Sequence, residues 1–232
     1  MRTLVAVVAV ALSVGGVATS SEPSHAAATQ PFSTALLDPE AFAGAGNDAA
    51  MQHAAYAGAS SVVLVLDWRS TAPAGSTKPL GFDATDPASS FYDWSSFDQQ
   101  VRLAAADGLS VIAQILDTPT WALDSPGVGL AKTLPDPAEL GNFALAAAER
   151  YGGTFGTLPR VRAWDVWNEP NISLFLAPQF VNGVPFAPGW YRQMVNDVAV
   201  AVKSVHSDNI VIAGGTAPFF DNTPAVTALD PD

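Results

Sequence analysis

The chain has 232 residues, 49% of them hydrophobic, with a formal net charge of −12 and no cysteine. That composition supplies one sizeable core and excludes a disordered tail, and the acidity disfavours nucleic acid or an anionic membrane surface as the main partner. Without cysteine there is no disulfide framework, no thiol catalysis and no Cys-type zinc site.

Met1 and Arg2 form a short positive start, residues 4–18 (LVAVVAVALSVGGVA) are apolar, and Ala26, Ala27 and Ala28 supply small residues for cleavage. The pattern predicts a signal peptide over residues 1–28 and an exported, secreted domain over 29–232. The run is short and broken by Ser13 and two glycines, which argues against an uncleaved anchor.

Short β-type runs then alternate with helical patterns. A strand is predicted over Phe32 to Leu37 and a helix around Asp48 to Tyr56. Ser61 to Asp67 (SVVLVLD) is a continuous apolar run without polar alternation, which suits a parallel strand covered on both faces. A Gly/Pro/Ser/Thr-rich loop from Trp68 to Tyr92 leads to Asp93, a suitable N-cap for a helix through Asp107. Leu109 to Leu116 is the third strand, and Asp117 to Asp136 a proline-bearing loop that contains Trp121. Pro137 to Tyr151 is an Ala-rich helix, and Val161 to Trp167 the fourth strand. Pro188 to Val205 is the clearest helix, and Asn209 to Ala213 the fifth strand.

Repeated strand–helix units mean an α/β fold. A doubly wound sheet and a (β/α)8 TIM barrel both fit. The long aromatic-bearing loops follow strands, as in a barrel whose site lies at the strand C-termini, and no G-x-G-x-x-G follows the first strand. The barrel is favoured. Only five strands are legible, so the chain reads as an incomplete barrel, about five of eight units.

The fourth strand carries the chemistry. VRAWDVWNEPN places an amide and a carboxylate, Asn168 and Glu169, at the tip of an apolar strand, and Pro170 is expected to force the chain out of the sheet. Trp164 and Trp167 flank the pair, and apolar bulk beside a carboxyl is what a general acid needs near neutral pH. This motif, with YDWSSFDQQV, TPTW and DWRSTAP in support, resembles the cellulase-like (β/α)8 glycoside hydrolases (family 5/39-like) over about residues 31–216.

The resemblance implies hydrolysis of O-glycosidic bonds in β-linked glycans by a retaining mechanism. It makes Glu169 the acid/base, gives Asn168 a hydrogen bond to the sugar 2-hydroxyl, and places a nucleophilic Glu at the end of the seventh strand. Glutamates occur at 22, 40, 139, 149 and 169 and none follows, so that nucleophile is missing from this chain. Asp221 is the one downstream acid expected near the mouth; Asp197 and Asp208 are expected to face outward. Many relatives carry an Arg early in the second strand, where Val63 stands here.

Other residues have competing readings. Trp121 suits a sugar-stacking platform or simple packing, and Trp68 a strand-end substrate contact or packing. Asp117 reads as a turn or cap residue, and Asp165 as a structural hydrogen-bond partner facing the barrel interior. No histidine arrangement supports a metal, and no cofactor is expected. The expected partner is an oligo- or polysaccharide. The alternatives are a non-catalytic secreted carbohydrate-binding protein, a pseudo-glycosidase, or a structural cell-surface protein.

Overall fold

A computed structural model describes residues 33–124 and 134–218. The leader, its cleavage site and Asp221 lie outside the described residues.

Five strands form one parallel sheet: β1 (Ala35–Leu37), β2 (Ser61–Asp67), β3 (Ser110–Leu116), β4 (Ala163–Val166) and, after a short hairpin, β7 (Ile210–Ala213). Their spatial order, β1-β2-β3-β4-β7, is their order along the chain. Helices fill the connections: α1 (Pro39–Ala43) and α2 (Asn47–Tyr56), then α3 (Trp68–Thr71) and α4 (Ser95–Ala106), then α5 (Pro137–Arg150) and α6 (Ala187–Val205). No helix among the described residues is long and apolar enough to cross a membrane.

The two faces of the sheet are unequally covered. Val62, Leu64 and Leu66 of β2 are buried in one core with Phe97, Val101 and Ala104 of α4. Their neighbours Val63, Val65 and Asp67 are only half-buried. The unbroken apolar run therefore does not mean equal burial. Side chains alternate across a strand, and the second face is the inner face of a barrel that five strands leave open.

Register sets rows of side chains across that inner face. Leu37, Val63, Ile112, Ala163 and Ile210 form one row, so the second-strand position 63 sits among apolar neighbours. The next row toward the strand C-termini is Val65, Gln114, Asp165 and Ile212, with a polar pair at its centre.

Several boundaries differ from the sequence reading. Asp93 does not cap α4 itself; Trp94 holds that position, while the Asp93 carboxylate accepts from Ser95 N at 3.0 Å. The strand expected over 161–167 shortens to Ala163–Val166, because Val161 N donates instead to Tyr151 O at 2.9 Å. Asp38 caps the five-residue α1, and Asp67 caps the four-residue α3 within the expected loop. Both helices are too short for apolar periodicity to reveal. Asn182 and Gly183, with φ of 51° and 75°, turn a hairpin between β5 (Phe180–Val181) and β6 (Val184–Pro185).

Asp208 is exposed and pairs with Arg160 at 2.6 Å, as an outward residue should. Asp197 instead faces α5: a β-carbon at Gly141 would lie 3.2 Å from the Asp197 Cβ. The two longest helices cross closely at a glycine, and that half-buries Asp197.

Candidate active site

The site lies where β4 ends. Trp167 and Glu169 take left-handed backbone conformations, with φ of 73° and 37°. Each costs a non-glycine residue about 1–2 kcal/mol, which contacts with neighbours must offset. The chain thus leaves the sheet at Trp167, three residues before Pro170; the proline follows the exit and does not cause it.

The neighbours are specific. Trp167 N donates to Ile115 O at 3.0 Å, and its indole Nε1 to Phe175 O at 2.7 Å. Glu169 N donates to Gly215 O at 3.1 Å. Asn171 exchanges two hydrogen bonds with the Ala217 backbone, at 3.0 and 2.8 Å, tying the loop after β4 to the loop after β7. Buried Gln179 donates to Pro170 O and Leu176 O at 2.9 and 2.6 Å from beneath the same loop.

A groove of about 500 Å³ opens at the strand C-termini, lined among others by Asp67, Ser70, Gln100, Gln114, Asn168 and Phe175. Asn168 therefore presents to the groove. Glu169 is half-buried beside it and is not one of the lining residues.

The tryptophans around the site are packed away to different extents. Trp164 is wholly buried in the core on the helix side, opposite to Asp165, so it does not shield Glu169 from the mouth. Trp68 is also wholly buried, stacked on Phe143 with ring centres 5.5 Å apart. That burial takes it out of reach of any substrate: Trp68 is a core residue. Trp121 is half-buried, edge-on to Trp68 at 6.0 Å, and its Nε1 donates to Pro73 O at 2.8 Å. Lys78 Nζ sits 5.4 Å from its ring. These contacts favour the packing role, and Trp121 does not line the groove.

Charged groups cluster at the ends of β2 and β3. Asp67 caps α3 through Ser70 N at 3.0 Å. Asp117 sits at φ 63°, the turn role expected of it, with Arg69 Nη2 at 3.5 Å. Burial pushes the Asp117 carboxyl above the usual carboxylate range, against the opposing pull of Arg69. Among the described residues no group of three or more His, Asp or Glu is placed to hold a metal.

Two residues are functional candidates that sequence reasoning passed over. Gln114 donates through Nε2 to Asp165 Oδ2 at 3.0 Å and to Trp167 O at 3.3 Å. Tyr191 of α6 donates to Val166 O at 2.7 Å and accepts from Gly214 N at 2.6 Å, joining the ends of β4 and β7. Gln114 was visible as the one amide in the run LSVIAQIL. Tyr191 left no signal beyond a helix-face aromatic.

No protein-family model matches the chain, and no curated protein does either. Solved structures do match. The GH39 enzyme from Xanthomonas axonopodis pv. citri aligns at 21% identity and a TM-score of 0.54, over 77% of this chain and 34% of that one. The fold is an incomplete (β/α)8 barrel. A glucosidase from Croceicoccus marinus (18% identity, TM-score 0.46) aligns over 72% of this chain and 32% of its own. The intracellular xylanase of Thermoanaerobacterium saccharolyticum (15%, TM-score 0.45) aligns over 78% and 52%. The chain spans about a third of the length of the first two, and half of the third.

Proposed function

We propose that this chain is part of an exported retaining glycoside hydrolase acting on β-linked glycans. The observation that carries the reading is Asn168-Glu169 at the C-terminal tip of the fourth strand of a parallel barrel sheet, where such folds place catalytic groups. Glu169 protonates the glycosidic oxygen and then activates water; Asn168, in the groove, orients the sugar 2-hydroxyl. The nucleophile is a second carboxylate about 5 Å from Glu169, as retention requires; no glutamate follows Glu169 in these 232 residues. The fold likeness to the GH39 enzyme supports the reading. So does a groove that sets the amides of Gln100, Gln114 and Asn168 and the hydroxyls of Ser70, Thr71 and Ser96 among apolar walls that include Phe97 and Phe175, a mixture that suits the polar edges and apolar faces of a sugar ring.

The test is proton NMR of the full-length protein with β-linked oligosaccharides. Release of a hemiacetal first formed in the β configuration supports retention; release of the α anomer rejects it. A second reading, a non-catalytic carbohydrate-binding protein or pseudo-glycosidase, is favoured by Asn168 lining the groove while Glu169 does not. It predicts glycan binding without product.

A further inference from the structure

The geometry points to Gln114 as the residue that positions the Asn168–Glu169 turn, with Asp165 selecting which way the Gln114 amide faces. This inference rests on the proposed role of Glu169 but is argued from the barrel interior beneath it.

A primary amide can face a neighbour with its oxygen or with its nitrogen. Gln114 and Asp165 stand side by side in one row of the inner face, both buried. The Asp165 Oδ2 lies 3.0 Å from Nε2 and selects the nitrogen-facing orientation, because two oxygens at that distance repel. With that orientation fixed, the second N–H on the same nitrogen is left for Trp167 O, 3.3 Å away.

That carbonyl belongs to the residue whose φ of 73° starts the turn. Gly214 closes on it from β7: a β-carbon there would lie 2.9 Å from the same oxygen and 3.4 Å from Asp165 Oδ1. The Trp167 carbonyl is thus gripped between a side-chain donor below and a glycine alongside. Asp165 Oδ1 is buried without a hydrogen bond of good geometry, although the Val166 backbone N–H helps to hold the carboxylate; orienting the amide gives that buried carboxylate a role.

The experiment compares Gln114→Leu, Asp165→Val and Asp165→Asn in the full-length protein by amide hydrogen exchange and by kinetics. Asp165→Val removes the unpartnered oxygen but leaves one Gln114 N–H without its acceptor, so its effect is read beside that of Gln114→Leu, which leaves no amide behind. The diagnostic amides are Glu169 N–H, bonded to Gly215 O, and Ile172 N–H, bonded to Glu169 O. Gln114→Leu and Asp165→Val should each lower protection at these two amides about tenfold, the scale of one lost hydrogen bond, while the β2–β3 ladder keeps its protection. Asp165→Asn retains an acceptor and should restore it. Unchanged protection in Gln114→Leu, or loss spread equally over the ladder, overturns the inference.

In kinetics, Gln114→Leu should lower kcat at least tenfold, since the turn aims groups that act in the transition state; Gln114 also lines the groove, so kcat rather than KM is the readout. Altered protection with an unaltered kcat in an active enzyme also overturns it. If the wild-type protein hydrolyses nothing yet the exchange pattern appears, the positioning stands and the glycosidase reading falls.

Discussion

Gly214 approaches Trp167 so closely that a β-carbon at position 214 would lie 2.9 Å from the Trp167 carbonyl oxygen and 3.1 Å from that of Val166. Both contacts are backbone, so nothing flexible can give way. Gly215, one residue on, has open space around its would-be β-carbon. Gly214→Ala should therefore cost about 1–3 kcal/mol, the range for overpacking. Gly215→Ala should stay within about 0.5 kcal/mol of wild type. Urea denaturation of the two variants checks this, and equal stabilities would remove the close approach from the account.

A second expectation concerns pH. Burial raises the Asp165 carboxyl above its usual range, and the Gln114 hydrogen bond opposes this only in part. The folded state then holds a proton that the unfolded state releases. Stability from this group is present below the unfolded value, about pH 4, and is lost as pH rises through the folded one. Asp165→Asn removes that loss. The melting temperature of the variant relative to wild type should rise with pH across this window and level off above it, as scanning calorimetry at a series of pH values would show.

The clamp between α4 and α5 gives a third. Arg150 holds Asp98 through two bonds of 2.9 and 2.7 Å, and the Tyr151 hydroxyl donates to the same carboxylate at 2.9 Å. Asp98 and Arg150 are nearly buried, with side-chain exposures of 11% and 14%. Burial, with the neighbouring Asp98 charge, pushes the Tyr151 hydroxyl far above its usual range, so it stays a donor. Asp98→Ala leaves a buried guanidinium unpaired and should destabilise by about 3–5 kcal/mol. Asp208→Ala, which breaks an exposed pair with Arg160, should leave the melting temperature nearly unchanged.

Much of the barrel was legible because its strands are continuous apolar runs of the right length. SVVLVLD and LSVIAQIL mark β2 and β3 nearly to the residue. Asn168 and Glu169 stood out because polar groups just past such a strand have few structural explanations; the strand ends at Val166, and of the two only Asn168 lines the groove. What escaped were features set by long-range contact. Trp68 looks like a site residue from its place after β2, but Phe143, 75 positions later, claims its ring. The turn at Trp167 was credited to Pro170, since φ at a non-glycine residue leaves no trace in sequence. Asn182-Gly183 was a readable hairpin signal, overlooked beside the stronger helix that follows. The Gln114–Asp165 pair depends on strand register, which a separation of 51 positions along the chain conceals.

The most direct test of the account is Glu169→Gln in the full-length protein, assayed on two β-glycosides that differ in leaving group. One is an aryl glycoside whose phenolate departs without a proton; the other has a sugar alcohol that needs one. The account predicts that kcat/KM falls by about 10²–10⁴ on the second substrate and much less on the first. An equal, negligible effect on both would contradict it and take Glu169 out of the acid role.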